Sequence, residues 1–220
     1  MKYLFLSFLI ILPLIFSCHK PEDNPTPKDK VPYGDGSRTK IEGRVLEYGS
    51  LKPIPNALVV LEEEFHMPFT GGGKYYPIDS TYTNADGYYI YDFKHIDKLD
   101  DYYFSYQVKV LAPKYFDNNS RMENGYAHRS DIILDPYAWI KVHVKNVNPF
   151  DENDELRTGS PKGGGGVFIG INMDATEIQN KFGNRKIELL WVVIKNKITV
   201  EKLDSLYLPP HDTINYEIFY

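Results

Sequence analysis

Cysteine is almost absent: Cys18 stands alone among 220 residues, so no internal disulfide can staple the fold, and core packing must hold it together. A surplus of positive charge is also missing. With 25 Lys and Arg against 30 Asp and Glu the net charge is -5, and the basic residues are scattered among acids. That argues against a nucleic-acid partner, whose phosphates need clustered Lys and Arg. No apolar run reaches the roughly 20 residues of a transmembrane span. No serine sits in a Gly-x-Ser-x-Gly elbow, and His19, His66, His95, His128, His143 and His211 include no pair at the three- or four-residue spacing of zinc hydrolases. The chain is therefore expected to be non-enzymatic, with no cofactor and no metal.

What is present starts at the N-terminus. Lys2 precedes an apolar stretch from Tyr3 to Phe16, the charged n-region and short h-region of a secretory signal. The closing run Leu14-Ile15-Phe16-Ser17-Cys18 resembles the lipobox of a bacterial lipoprotein. That resemblance implies a signal peptide over 1–17, cleavage before Cys18, and diacylglycerol on its thiol. Because each buried methylene contributes about 0.8 kcal/mol, two or three acyl chains hold almost irreversibly. The alternative is an ordinary cleaved signal with a coincidental cysteine. Residues 18–37, rich in Pro, Lys, Asp, Glu and Gly, read as a disordered tether. Glu22 and Asp23, close behind Cys18, are similar to the signal that exports lipoproteins of Bacteroidota to the cell surface. The expected location is the outer membrane, lipid-anchored and surface-exposed.

Beyond the tether the composition favours β structure, with 18 Tyr, 12 Phe and turn-forming Gly and Pro spread along the chain. Ile41, Gly43 and Val45 alternate with charged residues, and Ala57 to Leu61 is a short apolar run suited to a buried strand. Pro53 and Pro55 interrupt any ladder between them. Ser80–Thr83 and Gly87–Phe93 flank Asn84-Ala85-Asp86-Gly87, which predicts a hairpin turn with positive φ at its Asp-Gly step. Tyr102–Leu111 and Ile132–Leu134 complete a β-sandwich over 38–135.

These residues carry a resemblance. Gly43-Arg44-Val45, Pro53 to Leu61, Thr83-Asn84-Ala85-Asp86-Gly87-Tyr88-Tyr89, Tyr106 to Val110 and Lys114-Tyr115 look like the carboxypeptidase regulatory-like domain, a transthyretin-type sandwich common in Bacteroidota surface proteins. The resemblance implies a stalk, packing or recognition module without activity of its own.

Residues 136–220 read as a second β-sandwich, so the predicted fold class is all-β: two tandem sandwiches of transthyretin or immunoglobulin-like, Greek-key type. Tyr137–Lys145 alternates, Lys186–Lys195 does so more loosely, Thr213–Tyr220 ends the chain as a strand, and Asn196-Lys197 suits a hairpin turn. One or two helical turns are expected over Asp174–Phe182, where Ile178 and Phe182 are four apart. This half also resembles the C-terminal portion of small Bacteroidota lipoproteins through Ala138 to His143 and Leu208 to Thr213, a likeness that transfers no catalytic residue.

Candidate chemistry is thin. Asp151, Glu152, Asp154 and Glu155 lack the register of a calcium loop and read as a solvated acidic segment. Gly163 to Gly166 follow Lys162 instead of preceding it, so the loop is no phosphate cradle. Tyr89 and Tyr91 should face one side of their strand, Tyr88 and Ile90 the other, and Trp139 and Trp191 are assigned to the core. The expected function is recognition or scaffolding at the cell surface, with a protein or glycan as ligand and the loops Glu62–Pro77 and Asn148–Gly166 as contact regions. The alternatives are a structural subunit of a surface fibre and an accessory hydrolase in glycan or peptide breakdown.

Overall fold

The computed structural model describes residues 33–34, 37–66, 73–94, 104–159 and 165–220. Cys18, its signal segment and most of the tether lie outside the described residues, as do Gly71 and Gly72, Tyr102 and Tyr103, and residues 160–164. Among the described residues there are fifteen strands and no helix. The tether's end already belongs to the first sandwich, because Tyr33 donates its N–H to Gly125 O at 2.8 Å and its hydroxyl to Asp92 at 3.0 Å.

The first half runs β1 (Arg38–Glu47), β2 (Leu58–His66), β3 (Gly73–Tyr82), β4 (Tyr88–Lys94), β5 (Phe104–Leu111), β6 (Asn118–Met122), β7 (Ala127–Arg129) and β8 (Ile132–Leu134). β4 pairs antiparallel with β1, and β7 and β8 both pair parallel with it; the facing sheet has the order β3-β2-β5-β6. Alternation decides which side is buried. Ile41 and Val45 of β1, Val59 and Leu61 of β2, Tyr89 and Tyr91 of β4 and Val108 and Val110 of β5 meet in one core, while Ile90 is exposed and Tyr88 half-buried on the outer face. The buried hydroxyls find carbonyls: Tyr89 donates to Ser130 O and Tyr91 reaches across to Val59 O of the facing sheet, each at 2.7 Å. Burial pushes the Tyr89 phenol up to about 12, so it stays a neutral donor.

The turn before β4 forms as its residues require, with Gly87 at φ 69° and Asn84 Oδ1 accepting the N–H groups of Asp86 and Tyr88. It does not make a hairpin, because β3 pairs with β2 and β4 with β1. The turn is a crossover between sheets. Glu62–Pro77 also differs from a long loop: β2 continues to His66 and β3 starts at Gly73, so most of it is paired strand.

The second half runs β9 (Tyr137–Lys145), β10 (Glu155–Gly159), β11 (Val167–Ile169), β12 (Asp174–Phe182), β13 (Arg185–Lys195), β14 (Ile198–Leu208) and β15 (Thr213–Phe219). Its sheets are β11-β10-β13-β14 and β12-β9-β15, and its core joins Ile140, Val142, Val144, Leu156, Trp191, Leu208 and Ile218. The expected helix over Asp174–Phe182 is a strand, paired along its whole length with β9. A spacing of four fits both periods, since residues four apart share a strand face as well as a helix face. Trp191 is buried, but Trp139 lies half-buried on the opposite register to Ala138 and Ile140, edge-on to Tyr137 with ring centroids 6.0 Å apart. Asn196 and Lys197 both have positive φ, the form a two-residue β13–β14 turn needs.

One rule recurs in both halves. The first strand pairs parallel with the last: β1 with β7 and β8, β9 with β15. Parallel first and last strands bring the chain in at one end of a sandwich and send it out at the other.

Candidate functional site

The exit of the first sandwich meets the entrance of the second, with only Asp135 and Pro136 between β8 and β9. The contacts there come from turns at facing ends. Glu47, 8% exposed, accepts hydrogen bonds from Ser50 (2.7 Å) and Tyr115 (2.8 Å), and His211 Nε2 lies 3.1 Å from the same carboxylate. Burial, the largest single influence, pushes this carboxyl up, yet the bonds from Ser50, Tyr115 and His211 together hold it below its ordinary value. Arg185 pairs with Asp135 while its guanidinium stacks 4.2 Å from the Tyr48 ring. Asn184 donates to Tyr48 O at 2.7 Å, in a space left open because residue 49 is glycine: a Cβ there would lie 2.5 Å from the Asn184 amide. Phe116 packs against Tyr137 and Phe182 at 4.5 and 4.4 Å. Leu51, Lys114, Asn184 and His211, all at this seam, hold positive φ without being glycine. Such backbones persist only where surrounding contacts over-determine them.

The far end of the second sandwich is where β9, β13 and β15 finish and β12 and β14 begin. Apolar residues gather there in the open. Val147 (46%), Phe150 (58%), Ile169 (55%), Ile198 (62%), Val200 (48%) and Phe219 (51%) are exposed and all lie within a few residues of this edge. A cavity of about 390 Å³ opens beside them, between Glu152, Ile169, Gly170, Asn172, Met173 and Asp174. The two loops predicted for contact sit apart: Asn148 to Asp154 belongs to this end, whereas β2 and β3 meet at the opposite end of the first sandwich, beyond the start of β1.

The acidic segment is not uniformly solvated. Asp154 is fully buried and accepts bonds from Asn146 Nδ2 (2.9 Å) and the N–H groups of Phe150 (2.7 Å) and Asp151 (3.3 Å). Chain spacing could not announce this, since its partners are gathered by a turn and by β13. Asp151 caps the N–H of Asn153, and Glu155 pairs with Arg157. His128 bonds Glu123 O, His143 bonds Asp174 on the outer face with Lys145 beside it, and His211 belongs to the seam. These histidines do not converge, and among the described residues no group of three His, Cys, Asp or Glu could hold a metal ion. In the glycine-rich segment, read as no phosphate cradle, Gly166 donates to Thr158 Oγ1 at 3.1 Å and closes the β10–β11 connection.

No protein-family model matches the chain, and no curated protein matches it. Among solved structures it is similar to the Bacillus anthracis TIE protein, at 12% identity and TM-score 0.31 over 83% of this chain and 34% of the TIE protein, so the match spans about a third of that protein's length. It is also similar to the shaft pilin SpaA from Lactobacillus rhamnosus GG, at 7% identity and TM-score 0.33 over 83% of this chain and 97% of the pilin. A proposed cell adhesion protein from Bacteroides ovatus matches at 8% identity and TM-score 0.28, over 86% and 92% of the two chains. Values this low assign no function. The all-β tandem sandwich rests on the sheets themselves.

Proposed function

We propose that this chain is a lipid-anchored cell-surface protein that works as a two-sandwich spacer, presenting the far end of the second sandwich to a partner without catalysing a reaction. One observation carries the reading: in both sandwiches the first and last strands run parallel, so the chain advances end to end. At about 3.3 Å per residue, β1 and β9 in series span roughly 60 Å. With Cys18 and the carboxypeptidase regulatory-like half on the membrane side, the exposed Val147, Phe150, Ile169 and Ile198 stand farthest out. Apolar groups gathered at one edge mark a docking end for a protein partner more than for a glycan.

The test uses intact cells. Cys18→Ala should abolish labelling by a fatty-acid analogue, and antibodies against the second half should bind unpermeabilised cells carrying the wild type. Phe150→Asp with Ile198→Asp should remove partner capture by the anchored protein while the circular dichroism spectrum stays the same. Unchanged capture by that variant would move the contact away from the far end, and equal fatty-acid labelling of Cys18→Ala would remove the anchor. A fibre subunit would instead give ladders of covalent or detergent-stable multimers from the cell surface.

A further inference from the structure

Three groups that the proposed function does not use meet at the far end of the second sandwich. Asn146, which follows β9, is 8% exposed, and its carboxamide is held on both sides. Oδ1 accepts from Lys195 Nζ at 2.7 Å, while Nδ2 donates to Asp154 Oδ2 at 2.9 Å and to Gly170 O at 3.2 Å. Lys195, at the end of β13, also donates to Asn148 O at 2.8 Å, and its ammonium lies 4.7 Å from the ring of Tyr220, itself 8% exposed. Asp154 Oδ2 is 3.9 Å from Lys195 Nζ, so one carboxylate oxygen faces both the amine and the amide nitrogen.

We propose that Lys195 and Asn146 form an intramolecular amide bond, with Asp154 as the catalytic residue that moves the proton. The Asp154 carboxylate takes a proton from the Lys195 ammonium, and the freed amine attacks Asn146 Cγ. The Nζ–Cγ bond forms, the Cγ–Nδ2 bond breaks, and the nitrogen leaves carrying the proton Asp154 accepted together with the second proton of the amine. The sum is an ammonium and a primary amide giving a secondary amide and an ammonium ion, with Asp154 unchanged in charge.

Three features favour the step over an ordinary hydrogen bond. Holding amine and amide in contact replaces an encounter by an intramolecular reaction, for which effective molarities reach about 10⁵–10⁸ M. Asn146 and Asp154 are buried, Tyr220 lies beside the Lys195 ammonium, and the Lys195 side chain is only 18% exposed, which limits competing water. Asp154 begins as the base: burial, the strongest single influence, pushes its carboxyl up, but the donors Asn146, Phe150 and Asp151 and the Lys195 charge together hold it below its ordinary range. The bond would tie β9 in one sheet to β13 in the other, at an end where the outer strands β12 and β14 contribute little apolar burial.

The measurement is the intact mass of the purified full chain under denaturing conditions, followed by proteolysis. The expected mass is one ammonia below the sequence mass, with a branched peptide joining Asn146 to Lys195. Lys195→Arg and Asp154→Asn should both restore the full sequence mass. If either variant fails to fold, the wild-type mass and peptide map still decide. A wild type at full mass, with Lys195 open to acylation after denaturation, overturns the proposal. So does a loss that maps elsewhere, such as a succinimide at Asn124-Gly125.

Discussion

The two sandwiches share a plan and differ in how they are held. In the first, fourteen buried apolar residues form the described core, and the buried Tyr89 and Tyr91 hydroxyls bond backbone carbonyls, Tyr91 across to the facing sheet. In the second only nine do. β14 is exposed along nearly all its length, and β12 has no buried position. Where apolar burial is thin, polar contacts gather: Asn146, Asp154 and Lys195 at the far end, and Trp191 Nε1 bonding Tyr216, whose hydroxyl reaches Asp204. The difference teaches that a shared strand order does not set how a core is stabilised.

Matched substitutions test this comparison most strongly. Leu61 and Leu156 are both fully buried, one in each half, and truncation to alanine should cost about 2–5 kcal/mol at either. Both tryptophans lie in the second half, so in urea unfolding Leu156→Ala should shift the tryptophan fluorescence transition and Leu61→Ala should leave it in place. A fragment of residues 38–135 should then fold alone as β structure. If Leu61→Ala shifts the tryptophan transition as far as Leu156→Ala does, the halves unfold as one cooperative unit.

The next effect belongs to the first half alone. A Cβ on Gly43 would lie 1.9 Å from Ser130 O, between the points where β7 and β8 join β1. Gly43→Ala should destabilise this half by about 1–3 kcal/mol, read by circular dichroism on heating, with the fluorescence of the second half unmoved. A smaller effect, about 1 kcal/mol, is expected at the seam. Glu47 is held below its ordinary 4.5, so its contribution is complete above that pH and is lost as pH falls through the folded value. Glu47→Gln should flatten the fall in stability on acidification below about pH 4.5; an unchanged profile would take Glu47 out of the acid response. Smallest is Arg185→Ala, roughly 0.5–1 kcal/mol, since the Asp135 pair is a third exposed. Its mark is a wider distribution of inter-sandwich distances in spin-label measurements.

Much of the first sandwich was legible because alternation in a half-buried strand is a local property. Tyr89 and Tyr91 point inward and Ile90 outward as their spacing requires, and Asn84 to Gly87 turn where the Asp-Gly step said they would. Asn196-Lys197 formed its turn for the same local reason. β6 and β7 carried no such signal, being short and mostly polar, and they exist because β5 and β1 offer them an edge.

The amino-acid sequence by itself determined the all-β class, the places of the turns and the inward faces of β1, β4 and β9, since these depend on residues a few positions apart. Tertiary structure alone decided the rest. Ile178 and Phe182, four apart, fit two periods until β9 supplied a partner ladder. The Asn84–Gly87 turn could have closed a hairpin until β2 and β1 claimed its flanking strands for different sheets. Asp154 looked like one acid among four, and it became a buried hub because Asn146 and Lys195, eight and forty-one residues away, close over it. Burial and pairing are set by what the whole chain brings near, and no window along the sequence contains that information.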